Sequence, residues 1–319
     1  LASSAVDYPI EYGRRYHAFR PGSYVLPNDE VLGSQTTKPD GNVAILTLRQ
    51  EEMDRLDLTH ALTVRAIGNR LFLAPIEKEK VHKILDVGTG TGISWFTDAT
   101  RAPPNVKFEI DYVESPWLGD RKYDYVFVRY LAACIADWPK LMKSVYDNLA
   151  PGGWVEFQDS SIEYYSDDGT LTDDHAMRKW NKTLIGALES MGREPSPGPK
   201  LEGWVREAGF QRVQHSWYKI PLGPWPRDPF HKDLGYLNLQ QFKGGLEGFT
   251  MRVFRGVLEY SKEEAQVWLA QVRNELGNIH SFHSQFDLYG IPLLSRSRVE
   301  ADIIYRHVVY GQKPADEVT

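Results

Sequence analysis

Apolar and polar positions along the chain follow two periods. Short apolar runs and period-two stretches predict strands at residues 43–48, 81–87, 106–110, 123–128, 154–157, 210–220 and 303–310. Helical spacing appears between them. Met53, Leu56, Leu62, Ala66 and Ile67 share a face within 50–73, and Leu141, Val145 and Leu149 share one within 138–149. A helix carrying Met177, Leu184, Leu188 and Met191 opens at Asp173 and Asp174 with Thr172 as N-cap, and 201–208 is a short helix closed by Gly209. Ser261-Lys262-Glu263-Glu264 is a capping box ahead of the apolar stripe Ala265, Trp268, Leu269, Val272 and Leu276. Strand and helix alternating across short Gly-rich joints predict an α/β fold, a mostly parallel sheet wrapped by helices. The four prolines within 221–229 read as a rigid bend.

The strand at 81–87 ends in Asp86-Val87-Gly88-Thr89-Gly90-Thr91-Gly92. Glycines at alternate positions after a buried strand predict a tight turn where bare backbone meets a ligand, with a glycine turn lacking any ligand as the plainer alternative. A dinucleotide fingerprint would place its third glycine one position later, where Ile93 stands, so hydride transfer is the weaker reading. Arg129-Tyr130 ends the strand at 123–128, and ligands of open α/β sheets bind at that end. Residues 1–30 crowd Tyr12, Arg14, Arg15, Tyr16, His17, Phe19 and Arg20 ahead of Pro21-Gly22. This arm either packs on the surface or closes over the ligand.

Composition narrows the class. With 319 residues, 42% of them hydrophobic and 12% aromatic, the chain is long enough for a sizeable core in one large domain or two smaller ones. A net charge of −6 argues against a broad phosphate-binding surface, so nucleic acid is not an expected partner. Its single cysteine, Cys134, excludes an intramolecular disulfide and a multi-thiolate zinc site, which fits a reducing intracellular compartment, cytoplasmic or nuclear. No apolar run is long enough to cross a bilayer, and the first ten residues lack a signal-peptide pattern. His280 and His283 stand three apart without a nearby third ligand, so no metal is expected.

With these segments placed, the chain resembles the LaeA-like fungal methyltransferases, a branch of the Rossmann-like class I enzymes that use S-adenosyl-L-methionine. The likeness covers most of the chain. It rests on the acid-x-Gly-x-Gly-x-Gly turn and on Tyr16-His17-Ala18-Phe19-Arg20, Leu26-Pro27-Asn28-Asp29-Glu30, Asp137-Trp138-Pro139-Lys140-Leu141, Leu149-Ala150-Pro151-Gly152-Gly153-Trp154, Gly223-Pro224-Trp225-Pro226 and Val309-Tyr310-Gly311-Gln312-Lys313-Pro314. It implies a seven-stranded, mostly parallel sheet with helices on both faces and an antiparallel last strand. The segments implied are an arm with capping helices at 1–80, the core at 81–227, a helical insertion at 228–285 that shapes the acceptor pocket, and the last strand within 286–319.

The resemblance also implies roles. Asp86 orders the turn and the cofactor's amino-acid end, and the amides of Gly88, Thr89, Gly90 and Gly92 lie under its ribose and methionine portions. Asp111, Tyr112 and Val113 occupy the adenine position, while Arg129, Tyr16 and Arg20 are further cofactor contacts. His17 and Tyr130 are the candidate bases, followed by Glu156 and Asp159. A small-molecule acceptor in secondary metabolism is the first expectation. Alternatives are a regulatory protein partner on a degenerate fold, or a cyclase or isomerase that keeps the pocket.

The chain departs from the family in three places. Residues 95–101 bridge directly where a helix and an acid-ended second strand usually follow the turn, Tyr112 replaces the Asp that meets the adenine amine, and extra residues appear at 31–49 and 284–303. Each lost charge-assisted hydrogen bond costs about 1.5–3 kcal/mol. Cofactor affinity weaker than the family's is therefore expected.

Overall fold

A computed structural model describes residues 10–11, 14–15, 42–89, 104–109, 111–117, 120–166, 169–277 and 303–315. In chain order the elements are strands β1 (Ile10–Glu11) and β2 (Arg14–Arg15), helix α1 (Asn42–Ala66), β3 (Ile84–Val87), β4 (Tyr123–Arg129), α2 (Trp138–Asn148) and β5 (Leu149–Ser160). Then follow α3 (Ala176–Ser190), α4 (Leu201–Glu207), β6 (Gln211–Pro221), α5 (Pro229–Gly256), α6 (Lys262–Gly277) and β7 (Ile303–Gln312). Two compact units divide these residues: one takes its residues from 1–62, 163–191 and 220–304, the other from 63–162, 192–219 and 305–319.

The second unit is built on a five-stranded sheet of order β3-β4-β5-β7-β6. β3, β4 and β5 run parallel, and β7 is antiparallel to β5, as the family pattern implies for a last strand. Every residue of β4 from Tyr125 to Arg129 is buried, which fits a central strand covered on both faces. On one face Tyr125, Phe127 and Trp154 pack with Ala74, Phe72, Ile76 and Tyr310. On the other Trp138 stacks on Trp204 at 5.7 Å and meets Phe157 edge-on at 6.5 Å, bringing α2 and α4 against β5.

Five strands, not seven, stand in this sheet among the described residues. β3 is an edge strand among the described residues, and its Ile84 is 42% exposed. Of the strand expected at 106–110, residues 106–109 join no ladder and Ile110 lies outside the described residues. Residues 43–48 also depart from expectation. They continue into the helical pattern without a turn and form the start of α1, an instance of a short apolar run whose period cannot separate strand from helix. That helix stops at Ala66 rather than running to 73, because Gly68 and Asn69 take φ of +78° and +57°. β5 begins at Leu149, before the expected Trp154, with its Pro-Gly-Gly absorbed as an irregularity where Tyr123 pairs Leu149 but Tyr125 pairs Trp154.

The first unit is mostly helical. α3, α5 and α6 pack around Trp180, whose indole donates to Thr250 Oγ1 at 2.9 Å and whose ring meets Phe242 edge-on. The expected capping box is formed, with Ser261 Oγ accepting from the Glu264 amide and Glu264 Oε2 accepting from the Ser261 amide. The N-cap expected at Thr172 is not. α3 starts at Ala176, and Glu275 of α6 accepts from the amides of Ala176 and Met177 at 2.7 and 2.8 Å. A carboxylate on one helix thus caps another, pairing negative charge with the positive end of the dipole. Glu275→Ala is expected to cost about 1–2 kcal/mol in urea unfolding; an unchanged midpoint would show that water replaces the cap at no loss.

Candidate active site

Asp86 pairs Phe127 across the ladder, and Val87 pairs Val128, so β3 and β4 end side by side. Gly88 follows at φ +75°, a conformation that L side chains rarely adopt. A Cβ there would stand 3.0 Å from Leu131 Cδ2, so the turn closes down on the chain leaving β4. The left-handed φ favours bare backbone at the position where the glycine spacing predicts a tight turn. Gly90 and Gly92 lie outside the described residues, as do Tyr16, His17, Arg20, His280 and His283.

At the end of β4, Arg129 is buried with its guanidinium over the Phe127 and Tyr130 rings at 5.6 and 5.7 Å. Burial lowers its pKa, with the Arg306 charge acting the same way, while Tyr130, Asp86 and Glu156 act in the opposite direction. Tyr130 takes φ +60°, a strained conformation for an aromatic residue, and its hydroxyl lies 2.6 Å from Thr63 Oγ1. The Arg306 guanidinium caps the same ring at 4.2 Å. Asp86, Gly88, Arg129 and Tyr130, all chosen from sequence, therefore meet at adjoining strand ends. Arg306 and Thr63 were not foreseen.

Glu156 and Asp159 also lie on β5, and both hold backbone. Glu156 Oε2 accepts from the amides of Leu73 and Ala74 at 2.8 and 2.6 Å, and its Oε1 accepts from Gln158 Nε2 at 2.7 Å. Burial raises its pKa against those bonds. Asp159 accepts from the amides of Leu131 and Ser160, which fixes the turn after Tyr130.

Asp111, Tyr112 and Val113 form a second group. Asp111 is exposed and accepts from the Tyr112 amide at 2.7 Å, and Val113 O accepts from Trp117 Nε1. The Tyr112 hydroxyl donates to Glu114 at 2.7 Å, and burial with this contact raises its pKa. Glu114 was missed in the sequence, where it is one acid in an irregular stretch. It is 7% exposed and also accepts from the amides of Ala136 and Asp137, while Arg193 pairs with it at 3.6 Å. Beside it the Cys134 thiol is buried, and burial pushes its pKa up.

A chain of polar groups, also unforeseen, crosses the far edge of the sheet. Glu202 Oε2 lies 3.0 Å from His215 Nδ1, and His215 Nε2 lies 2.8 Å from His307 Nδ1. His307 pairs Asp159 across the β5–β7 ladder. Burial raises Asp159 from 3.8 to about 6, and burial lowers His307 from 6.5 to about 4 with help from His215 and Arg306.

These shifts oppose each other. Between about pH 4 and 6, folded Asp159 keeps a proton that the unfolded chain has lost, so its contribution to stability falls as pH rises. Folded His307 lacks a proton that the unfolded chain holds, so its contribution grows as pH rises. The two slopes are expected to cancel in the native protein. His307→Gln should leave stability falling from pH 4 to 6, and Asp159→Asn should leave it rising; melting temperatures across that window that slope alike in both variants would refute the assignment.

Comparisons with known proteins give the family of this chain. A family model described as a methyltransferase domain matches residues 58–215. The chain is 39% identical over 307 residues to methyltransferase pytC of Aspergillus terreus, covering 90% of this chain and 88% of that protein. It is 31% identical to the secondary metabolism regulator LAE1 of Cochliobolus heterostrophus, covering 86% and 92%. Among solved structures, a phosphoethanolamine N-methyltransferase of Haemonchus contortus aligns over 82% of this chain and 52% of that one, with 15% identity and a TM-score of 0.43. The chain belongs to the LaeA-like family of fungal methyltransferases, with the Rossmann-like fold of that class.

Proposed function

We propose that the chain is a secondary-metabolism methyltransferase acting on a small molecule, the carrying observation being the Gly88 turn closed against Leu131 where β3 and β4 end. The left-handed turn and the acid before it fit the family's cofactor. Asp86 and the amides of Gly88 and Thr89 would hold it, with Arg129 the cation for its carboxylate. The cofactor supplies an electrophilic methyl group on a sulfonium. The protein's task is to hold an acceptor atom in line with that carbon and to keep water away, which orientation achieves without covalent help. An oxygen or nitrogen acceptor bearing a proton also needs a base. Tyr130, fixed by Thr63 and flanked by two guanidiniums, is the described candidate, and His17 of the arm is the other. Asp111, Tyr112 and Val113 complete the cofactor side in this reading, with Glu114 fixing the Tyr112 hydroxyl.

Likeness to a secondary metabolism regulator supports a second reading, in which the fold serves a protein partner. Incubation with S-adenosylmethionine and the producing organism's metabolite extract separates the two. A metabolite that gains the mass of one methylene group supports the enzyme. Cofactor binding with no methylated metabolite supports the regulator.

A further inference from the structure

Arg306 sits on β7 opposite Ser160, the last residue of β5, and is 5% exposed. Its Nη1 is buried with no hydrogen-bond partner. The Tyr130 ring lies 4.2 Å from its Cζ, and Tyr130 is itself held by Thr63. A ring face offers a guanidinium attraction but no acceptor in the plane of its N–H bonds, so a buried charged donor pointing nowhere remains costly. An anion arriving at Nη1 removes that cost, and a planar carboxylate suits a guanidinium.

We propose that Arg306 Nη1 and the Tyr130 ring form a carboxylate-binding site for an acid group on the methyl acceptor, an inference that rests on the methyltransferase reading above. Two observations separate this group from the cofactor's own carboxylate. Arg129 already stands at the cofactor side, within electrostatic reach of Asp86. Arg306 enters from β7, two strands from β4 in the sheet, and meets Arg129 only at the Tyr130 ring, which carries both guanidiniums at 4.2 and 5.7 Å. A phosphate fits less well, since its second charge would meet the Asp159 carboxylate, which already feels Arg306.

Calorimetry with protein saturated in S-adenosylhomocysteine tests the site, using benzoate as probe and benzamide as its neutral counterpart. Benzoate is expected to bind at millimolar concentration, and benzamide about tenfold more weakly or less. Arg306→Gln should weaken benzoate about tenfold, Arg306→Lys less, with S-adenosylhomocysteine affinity kept within about twofold. Equal binding of the two probes by the native protein, or no benzoate binding, overturns the proposal without any variant. It is also overturned if Arg306→Gln loses S-adenosylhomocysteine and keeps benzoate, since Arg306 then holds the cofactor's carboxylate. Failure of the native protein to bind S-adenosylhomocysteine instead removes the methyltransferase reading, and benzoate against benzamide on the free protein then decides the site alone.

Discussion

Gly235→Ala is expected to destabilise the helical unit by about 3 kcal/mol or more, beyond the usual cost of overpacking. Gly235 is buried in α5 and its carbonyl accepts from the Gly223 amide at 2.9 Å. A Cβ at 235 would overlap the Gly223 carbonyl oxygen and lie 2.8 Å from its carbon. Both are backbone atoms, and Gly223 is fixed at φ +110° in the bend after β6. Asn238 clamps the same bend by donating to Pro221 O at 2.9 Å. No side chain can swing away to make room, so helix and bend must separate. Gly244→Ala in the same helix is the control. Its Cβ would meet only Arg55 Cγ, at 3.8 Å, and removing a helical glycine there should add up to about 1 kcal/mol. Equal urea midpoints for the two variants would refute this packing.

The second large effect is expected at Glu114. Its carboxylate satisfies two backbone amides ahead of α2 and the Tyr112 hydroxyl, and faces Arg193, whose side chain is 10% exposed. Glu114→Ala removes every one of these acceptors together and leaves a buried guanidinium without its counter-charge. A loss of about 3–5 kcal/mol follows from breaking such a pair. Glu114→Gln keeps an acceptor oxygen but no charge, so its thermal midpoint should fall between those of the native and alanine proteins. A midpoint for Glu114→Ala within the error of the native value would show that the cluster is satisfied by solvent.

The parts of this molecule legible in its sequence are those fixed by local chemistry. Apolar runs gave β4, β6 and β7 nearly to their ends and β3 at its C-terminal end, and Ser261 with Glu264 closed the box that their spacing predicts. The glycine turn was legible where Gly88 takes a left-handed φ, and Asp86 and Arg129 stand close to or at the ends of adjacent strands, as expected. Partnerships set by tertiary structure were not legible. Glu275 caps α3 from 99 positions away, and Glu114 looks like any loop acid until Arg193 is brought beside it. Arg306 and His307 carry no signal beyond being polar residues in an apolar strand, although that irregularity in β7 was visible. The strand expected at 43–48 failed because that apolar run belongs to a longer helix, and 106–109 of the strand expected at 106–110 joins no ladder.

The central claim is that the turn at Gly88 holds S-adenosylmethionine. Calorimetric titration of S-adenosylhomocysteine into the native protein and into Gly88→Val tests it most directly, because a branched side chain at φ +75° is strained and crowds Leu131, 3.0 Å away. The native protein should bind one equivalent with a dissociation constant below about 1 mM, and the variant should lose at least about tenfold while keeping a cooperative melt. No heat of binding by the native protein at millimolar ligand, or equal affinity in the variant, would contradict the account.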